Sequence, residues 1–306
     1  MSIPAGATAP FTAAGYDVVP EGRYDIVVRD YYSPVPELTL VGDEVWTRRS
    51  PLGGINLATD AAIDRVEREL APLVAELDLP VHDPGLPGMF FLHNGGFGPV
   101  DAELLYAMIR AARPRRVVEL GSGYSTLLIA LACARNTDDG AATAHEVFDP
   151  FPRPHILGDA LAATKLTALS ATDVPLEVFA TLDSGDILFV DTTHTVKLGG
   201  DVNHLILDVL PILRAGVIVH FHDIFLPWEY PRQWFEEMHW YWAEQYLLQA
   251  FLAYNHDFEI IVPAHALARD HPERLAASIP SFTAGVAPGS MWIRRVTAPP
   301  DARSQA

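Results

Sequence analysis

One cysteine, a shortage of basic residues and the lack of any long apolar run set the first limits on this chain. Cys133 is the only cysteine among 306 residues, so no disulfide forms within the chain. It lies in LLIALACARN, where a small, half-apolar thiol suits helix packing better than chemistry. Lysine and arginine total 21 against 39 aspartates and glutamates, a formal charge of -18. Binding to phosphate backbones depends on clustered Lys and Arg, so nucleic acid is not expected as a partner. No stretch reaches the roughly eighteen apolar residues that span a bilayer. The opening MSIPAGATAPFTAAGYD lacks a basic segment followed by an apolar run, and the expectation is a soluble, cytoplasmic protein without a membrane partner. What is present is ordinary for a globular chain: 49% hydrophobic, 20% charged and 10% aromatic residues, enough to bury a sizeable core.

The stretch around which the chain is organised is RRVVELGSGYST, Arg115 to Thr126. It reads as a short apolar strand, an acidic residue near its end, two glycines and a helix start. Such a turn gathers free backbone N–H groups and the positive end of a helix dipole around one small volume. A dinucleotide site wants G-x-G-x-x-G/A, with a small sixth residue for close packing of helix on strand. Here the sixth position is Thr126. Glu119, two positions before the first glycine, would repel a pyrophosphate but welcome a cationic or hydroxyl-rich ligand. That favours S-adenosylmethionine (SAM), and E-L-G-S-G-Y-S resembles the first motif of class I SAM-dependent methyltransferases. By that resemblance Glu119, Gly121, Ser122, Gly123, Tyr124 and Ser125 bind the cofactor.

Residues 1–24 are rich in Ala, Gly, Pro and Thr without periodicity and read as a loosely docked arm. YDIVVRDYYSPVPELTLVGDEVWTRR follows as a crossing loop or a lid. From Asp60, the apolar positions Ile63, Val66, Leu70, Val74 and Leu77 recur at helical spacing. The turn-rich NGGFGP then precedes a helix starting near Asp101, closed by Pro114. In class I methyltransferases, which the motif resembles, the loop and helix before the first strand often fold over SAM, and that resemblance makes Asn94, Gly95 and Phe97 further candidates for cofactor contact.

Downstream, HEVFD forms the second strand and ends at Asp149, where a carboxylate can accept both ribose hydroxyls. VPLEVFA is expected as the third strand, DILFVDTTH as the fourth and GVIVHFHDIF as the fifth, with DVNHLILDVLPILRAG as the intervening helix. Alternating strands and helices predict a doubly wound, mostly parallel sheet with ligands beyond its carboxyl ends. A long aromatic helix, PRQWFEEMHWYWAEQYLLQAFLAYN, precedes the strand FEIIVP, and after a loop another strand, SMWIRRV, closes the chain. This late strand pair resembles the class I methyltransferase topology, which implies an antiparallel last strand.

Asp191, His194, His222 and Asp223 fall at the ends of the fourth and fifth strands. One reading is a divalent metal held by Asp191, Asp223 and His222 or His194, with magnesium, manganese or iron compatible with the mixed donors. Another makes His194 or His222 a general base, since imidazole titrates near neutrality. A third leaves the histidines as hydrogen-bonded packing groups. Trp228, Tyr230 and Trp234 could wall a substrate pocket. Glu244 and Gln245 are polar within an apolar helix.

The blocks YYSPVPE, NGGFGPVDAELLYAMIR, VVELGSGYST, DILFVDTTH, GGDVNH, VHFHDIFLPWEYP and EQYLLQAFLAYN resemble a bacterial, small-molecule class I SAM-dependent methyltransferase family. They are similar, more distantly, to metal-dependent O-methyltransferases of macrolide sugars and to cephalosporin-hydroxylase-like proteins. The resemblance implies a Rossmann-like seven-stranded sheet, SAM as cofactor and a metal on Asp191 and Asp223. The expected division is an arm and cap over 1–95 and a SAM-binding domain over 96–306. The expected activity is metal-assisted methyl transfer to a small-molecule acceptor, at a hydroxyl oxygen, through Asp191, His194 and His222. Hydroxylase-like chemistry and non-catalytic binding are the alternatives, and self-association is left open.

Overall fold

The computed structural model describes residues 13, 16–18, 26–28, 31–153, 157–158 and 164–299. The arm over 1–24 and the segment around 155–163 therefore fall largely outside the described residues. The chain forms two compact units, Met1–Arg49 with Trp228–Trp242, and Ser50–Pro227 with Ala243–Ala306.

In the smaller unit, β1 (Tyr16–Val18) pairs antiparallel with β2 (Ile26–Val28). A short helix α1 (Asp43–Thr47) carries Trp46, whose ring lies 5.5 Å from that of Phe235. Trp234, Trp240 and Trp242 pack on one another at 4.8–5.7 Å between centroids, and the Arg49 guanidinium lies over the Trp228 ring at 4.9 Å.

The larger unit holds a seven-stranded sheet. Its strands are β3 (Arg116–Leu120), β4 (Ala144–Phe148), β5 (Lys165–Thr167), β6 (Ile187–Val190), β7 (Ile218–Phe221), β8 (Phe258–Pro263) and β9 (Met291–Arg295). The order is β5-β4-β3-β6-β7-β9-β8, parallel throughout except for β9, which runs antiparallel to both neighbours. Chain order reverses between β3 and β6, the switch point at which an open α/β sheet leaves a crevice. Every residue of β6 and β7 is buried, as strands covered by helices on both faces require.

The helix over residues 59–74, α2, buries Ile63, Val66, Leu70 and Val74, and α3 (Asp101–Ala112) packs beside α4 (Tyr124–Asp138). Arg110 on α3 cross-links them, donating to Asn136 Oδ1 and Asp139 Oδ2 at 2.5 and 2.7 Å and to Glu76 Oε2 at 3.0 Å.

Three expectations need correction. VPLEVFA is not the third strand: Pro175 precedes the helix α5 (Leu176–Ala180), which buries Phe179 and exposes Leu176. The edge strand beside β4 is instead Lys165–Thr167. After α6, over residues 201–212, the long aromatic helix is broken into α7 (Arg232–Glu236) and α8 (Glu244–Leu252). Trp240 and Trp242 stack at 4.8 Å with planes 10° apart, an i, i+2 contact that helical geometry forbids. The link between β8 and β9 is not a loop but two helices, α9 (Ala264–Asp270) and α10 (Pro272–Ser278).

Candidate active site

Strand register sets the site. Leu120 pairs with Phe148 and Val190, and Val190 with Phe221, so the residues that follow leave four adjacent strands at one level: Gly121, Asp149, Asp191 and His222. Gly121 N–H donates to the Phe148 carbonyl, Asp191 N–H to Leu120 and His222 N–H to Val190, at 2.9–3.0 Å. Gly121 has φ +86°, and a Cβ there would meet the Asp191 carbonyl oxygen at 1.9 Å. Only glycine fits this turn.

Beyond these ends opens a cleft of about 660 Å³. The glycine turn 121–123 with Tyr124 and Ser125 lines it, as do the 94–97 loop, Asp149 and Asp191. Asp149 Oδ2 accepts from Ser122 N–H at 2.9 Å and from the Ser122 hydroxyl, and Oδ1 accepts from Phe151 N–H at 2.7 Å. Both acceptor sites of Oδ2 are thus taken, and Oδ1 retains one. Asn94 ties its own loop: its amide donates to the Phe91 and Phe97 carbonyls, both at 2.7 Å, and its oxygen accepts from Gly96 and Phe97 N–H. The Tyr124 ring meets Phe90 and Phe91 edge-on.

Glu119 is placed differently from the reading in which it faces the ligand. It is fully buried beneath the turn and is not among the residues lining the cleft. Its Oε1 accepts from the Ser125 and Thr126 hydroxyls at 2.7 and 3.0 Å, and its Oε2 lies 2.9 Å from His145 Nε2. The carboxylate fastens the first turn of α4 to β3.

Asp191, on the cleft wall, belongs to a polar constellation. Asp191, His194 and Asp223 offer ligand atoms within 4.8 Å of one another. His194 Nε2 is 3.1 Å from Asp191 Oδ1 and 3.8 Å from Asp223 Oδ2. His222 Nδ1 lies 3.6 Å from Asp191 Oδ2 and 3.4 Å from Asp223 Oδ2, with Nε2 3.8 Å from Asp101 Oδ2. Burial pushes the His194 imidazole down, but its hydrogen bonds to Asp191 and Glu244 outweigh this and hold it at about 10. His222 is likewise buried, yet the charges of Asp223 and Asp191 raise it well above the ordinary value. Burial alone would raise Asp191; the His222 charge and the hydrogen bond from His194 bring it to about 2. His220 faces the same side as His222 but is a packing group: it stacks on Phe189 at 4.3 Å and lies 2.9 Å from Ser290 Oγ. Burial keeps it neutral.

Residues 118–224 match the profile of a family described as "Methyltransferase domain", and the strand order is that of the class I fold. The matched segment is a methyltransferase domain. An uncharacterized protein of Archaeoglobus fulgidus is 27% identical over 165 residues, 51% of this chain and 73% of that one. Among solved structures, apo CmcI is 17% identical, with 73% of this chain and 83% of that chain covered and a TM-score of 0.41. A Bacillus cereus O-methyltransferase in complex with SAH is 14% identical, with 76% and 91% covered and a TM-score of 0.36.

In this methyltransferase, sequence reasoning found the cleft-lining turn, Asp149 and the strand-end cluster. It did not assign Asp101, whose carboxylate accepts from Gly289 and Ser290 N–H at 2.9 and 2.8 Å and faces His222. Glu244 carried only its polarity on an apolar helix as a signal; the structure places its Oε2 2.8 Å from His194 Nδ1.

Proposed function

We propose that the methyltransferase acts on a hydroxyl oxygen of a small-molecule acceptor, with a divalent cation held by Asp191 and Asp223. The observation that carries this reading is the Asp191 carboxylate, which lines the same cleft as the glycine turn while belonging to a cluster of donors. A cation with bonds of about 2.1–2.5 Å spans ligand atoms up to ~5 Å apart, and the Asp191, His194 and Asp223 atoms lie within 4.8 Å of one another. The donor set therefore fits the ion. When bound, the cation supplies Lewis acidity toward the acceptor hydroxyl, and SAM supplies the methyl electrophile.

The chain's own residues do the rest. In-line transfer asks for positioning and for the removal of one proton. The backbone of Gly121 to Gly123 approaches the amino-acid half of SAM, and Asp149 accepts the ribose hydroxyls. Asn94 shapes the loop that covers the cofactor. A cation on Asp191 and Asp223 would offset the charges that hold the His222 proton, which would free Nδ1 to take the acceptor proton. Arg153 and Lys197 on the cleft wall offer the acceptor two cations in a chain of strongly negative charge.

The test is incubation of the purified protein with methyl-labelled SAM and fractionated cell extract, with and without a chelator. Label on a small hydroxyl-bearing metabolite that chelation suppresses is the expected result. Calorimetry should show SAM and S-adenosylhomocysteine binding but not NAD. Transfer only to nitrogen or carbon, or transfer indifferent to the chelator, would sink the respective part of the proposal.

A further inference from the structure

His194 and Asp223 share an unusual backbone: both lie in the left-handed region, at φ 55° and 57°. Such residues cost stability and persist where the surroundings hold them. Both strand-end loops are pinned by the start of one helix, α8. The His194 carbonyl accepts the N–H groups of Ala243 and Glu244 at 2.9 and 3.1 Å, and the Glu244 carboxylate returns to His194 Nδ1 at 2.8 Å. The neighbouring Gln245 accepts the N–H of Phe225, two residues after Asp223, through Oε1 at 3.0 Å. Glu244 and Gln245 are each 1% exposed, and Glu244 Oε1 has no hydrogen-bond partner among the described residues. An apolar helix that buries two consecutive polar side chains against two loops is serving those loops.

The consequence is directional. With Nδ1 facing the Glu244 carboxylate, the other ring nitrogen of His194 is turned toward Asp191 and Asp223. A carboxylate behind an imidazole fixes the tautomer, orients the ring and raises its basicity as a ligand. His222 also has a carboxylate behind it, Asp101, but at 3.8 Å, beyond hydrogen-bond distance.

We infer that His194, through Nε2, is the nitrogen ligand of the divalent cation, and that Glu244 is its positioning residue. This rests on the metal reading proposed above and goes beyond it in naming the nitrogen donor and the ion class. Two carboxylates and an imidazole suit Mn²⁺ or Fe²⁺ better than Mg²⁺, which prefers oxygen and water.

The full-length protein, stripped by chelation, is titrated with Mn²⁺ while free ion is followed by electron paramagnetic resonance, and the bound ion is examined by pulsed methods for imidazole-nitrogen coupling. Wild type should bind Mn²⁺ more tightly than Mg²⁺ and show that coupling. His194→Asn should lose the coupling, whereas His222→Asn should keep it. Glu244→Ala should weaken Mn²⁺ about 10–100-fold, the usual loss for an outer-shell partner, with Glu244→Gln intermediate and SAM affinity, which reports folding, unchanged in both. Coupling that survives in His194→Asn and vanishes in His222→Asn would overturn the assignment. Wild-type Mn²⁺ affinity in both Glu244 variants would remove the positioning role. Wild type that binds no Mn²⁺ would overturn the metal reading itself, a result distinct from bound Mn²⁺ without nitrogen coupling, which ends only this inference.

Discussion

Single residues divide between those that touch the ligand volume and those that hold it in shape. Glu119 belongs to the second group, since both its oxygens are spent on Ser125, Thr126 and His145. Glu119→Ala strands those buried groups, and each unsatisfied one costs about 1–3 kcal/mol. The expected outcome is a clear fall in urea midpoint together with weaker SAM binding. Asp149→Ala should instead weaken SAM about tenfold or more, the worth of a charged hydrogen-bond pair, with a smaller effect on the midpoint. If calorimetry finds SAM affinity unchanged in both, the cofactor seat lies elsewhere. His265 sets a pH dependence away from the site. Burial pushes its imidazole down to about 4, against an opposing hydrogen bond to the Pro288 carbonyl. The unfolded chain takes up this proton near pH 6.5, the folded chain only near 4. Stability is therefore complete above about 6.5 and declines as pH falls toward 4, by on the order of 3 kcal/mol. Urea midpoints at pH 7 and pH 5 should differ less in His265→Gln than in wild type, and an equal acid loss would exclude His265 as its source.

Elements show where sequence is readable and where it is not. β6 and β7 were legible because a strand buried on both faces must be a continuous apolar run, and Asp149 was found because a polar residue ends such a run. VPLEVFA fails as a strand because its apolar residues fit alternation and a short helix equally, and Pro175 tips the balance. The break between α7 and α8 is invisible locally, since no Gly or Pro lies between Arg232 and Glu244 to stop a helix, and the stacking of Trp240 on Trp242 is a tertiary outcome. The contact between Glu244 and His194 spans fifty residues, and no local pattern encodes it. Helices α3 and α4 owe their pairing partly to Arg110, whose side chain is 8% exposed. Arg110→Ala leaves the buried Asn136 oxygen without its donor and should cost about 1–3 kcal/mol, the half-exposed carboxylates adding little. A midpoint change below a few tenths of a kcal/mol would show that apolar packing alone fixes the two helices.

For the whole molecule, the composition bounded what the fold could serve. Among the described residues no helix is long and apolar enough to cross a membrane, and the charge of -18 opposes polyanions. The seven-stranded sheet with its antiparallel late strand was legible from the order of blocks, whereas the two-unit division, joining Met1–Arg49 to Trp228–Trp242, was not, because it unites segments far apart in the chain. SAM binds the folded state alone, so a concentration near one hundred times its dissociation constant should add about 2.7 kcal/mol. For a chain of this length that is a rise in melting temperature of roughly 4 °C. Differential scanning with SAM should show it, and NAD should leave the transition where it was.

The alignment of Gly121, Asp149, Asp191 and His222 across neighbouring strands has an evolutionary corollary. A strand sliding by a single step would carry its terminal group about 3.3 Å along and flip it to the opposite face. Insertions inside these strands should therefore be intolerable to activity, while exchanges just past their ends retune the chemistry and leave the scaffold untouched. A library confined to those few positions, selected first for solubility and then for turnover, should recover many folded proteins and few active ones.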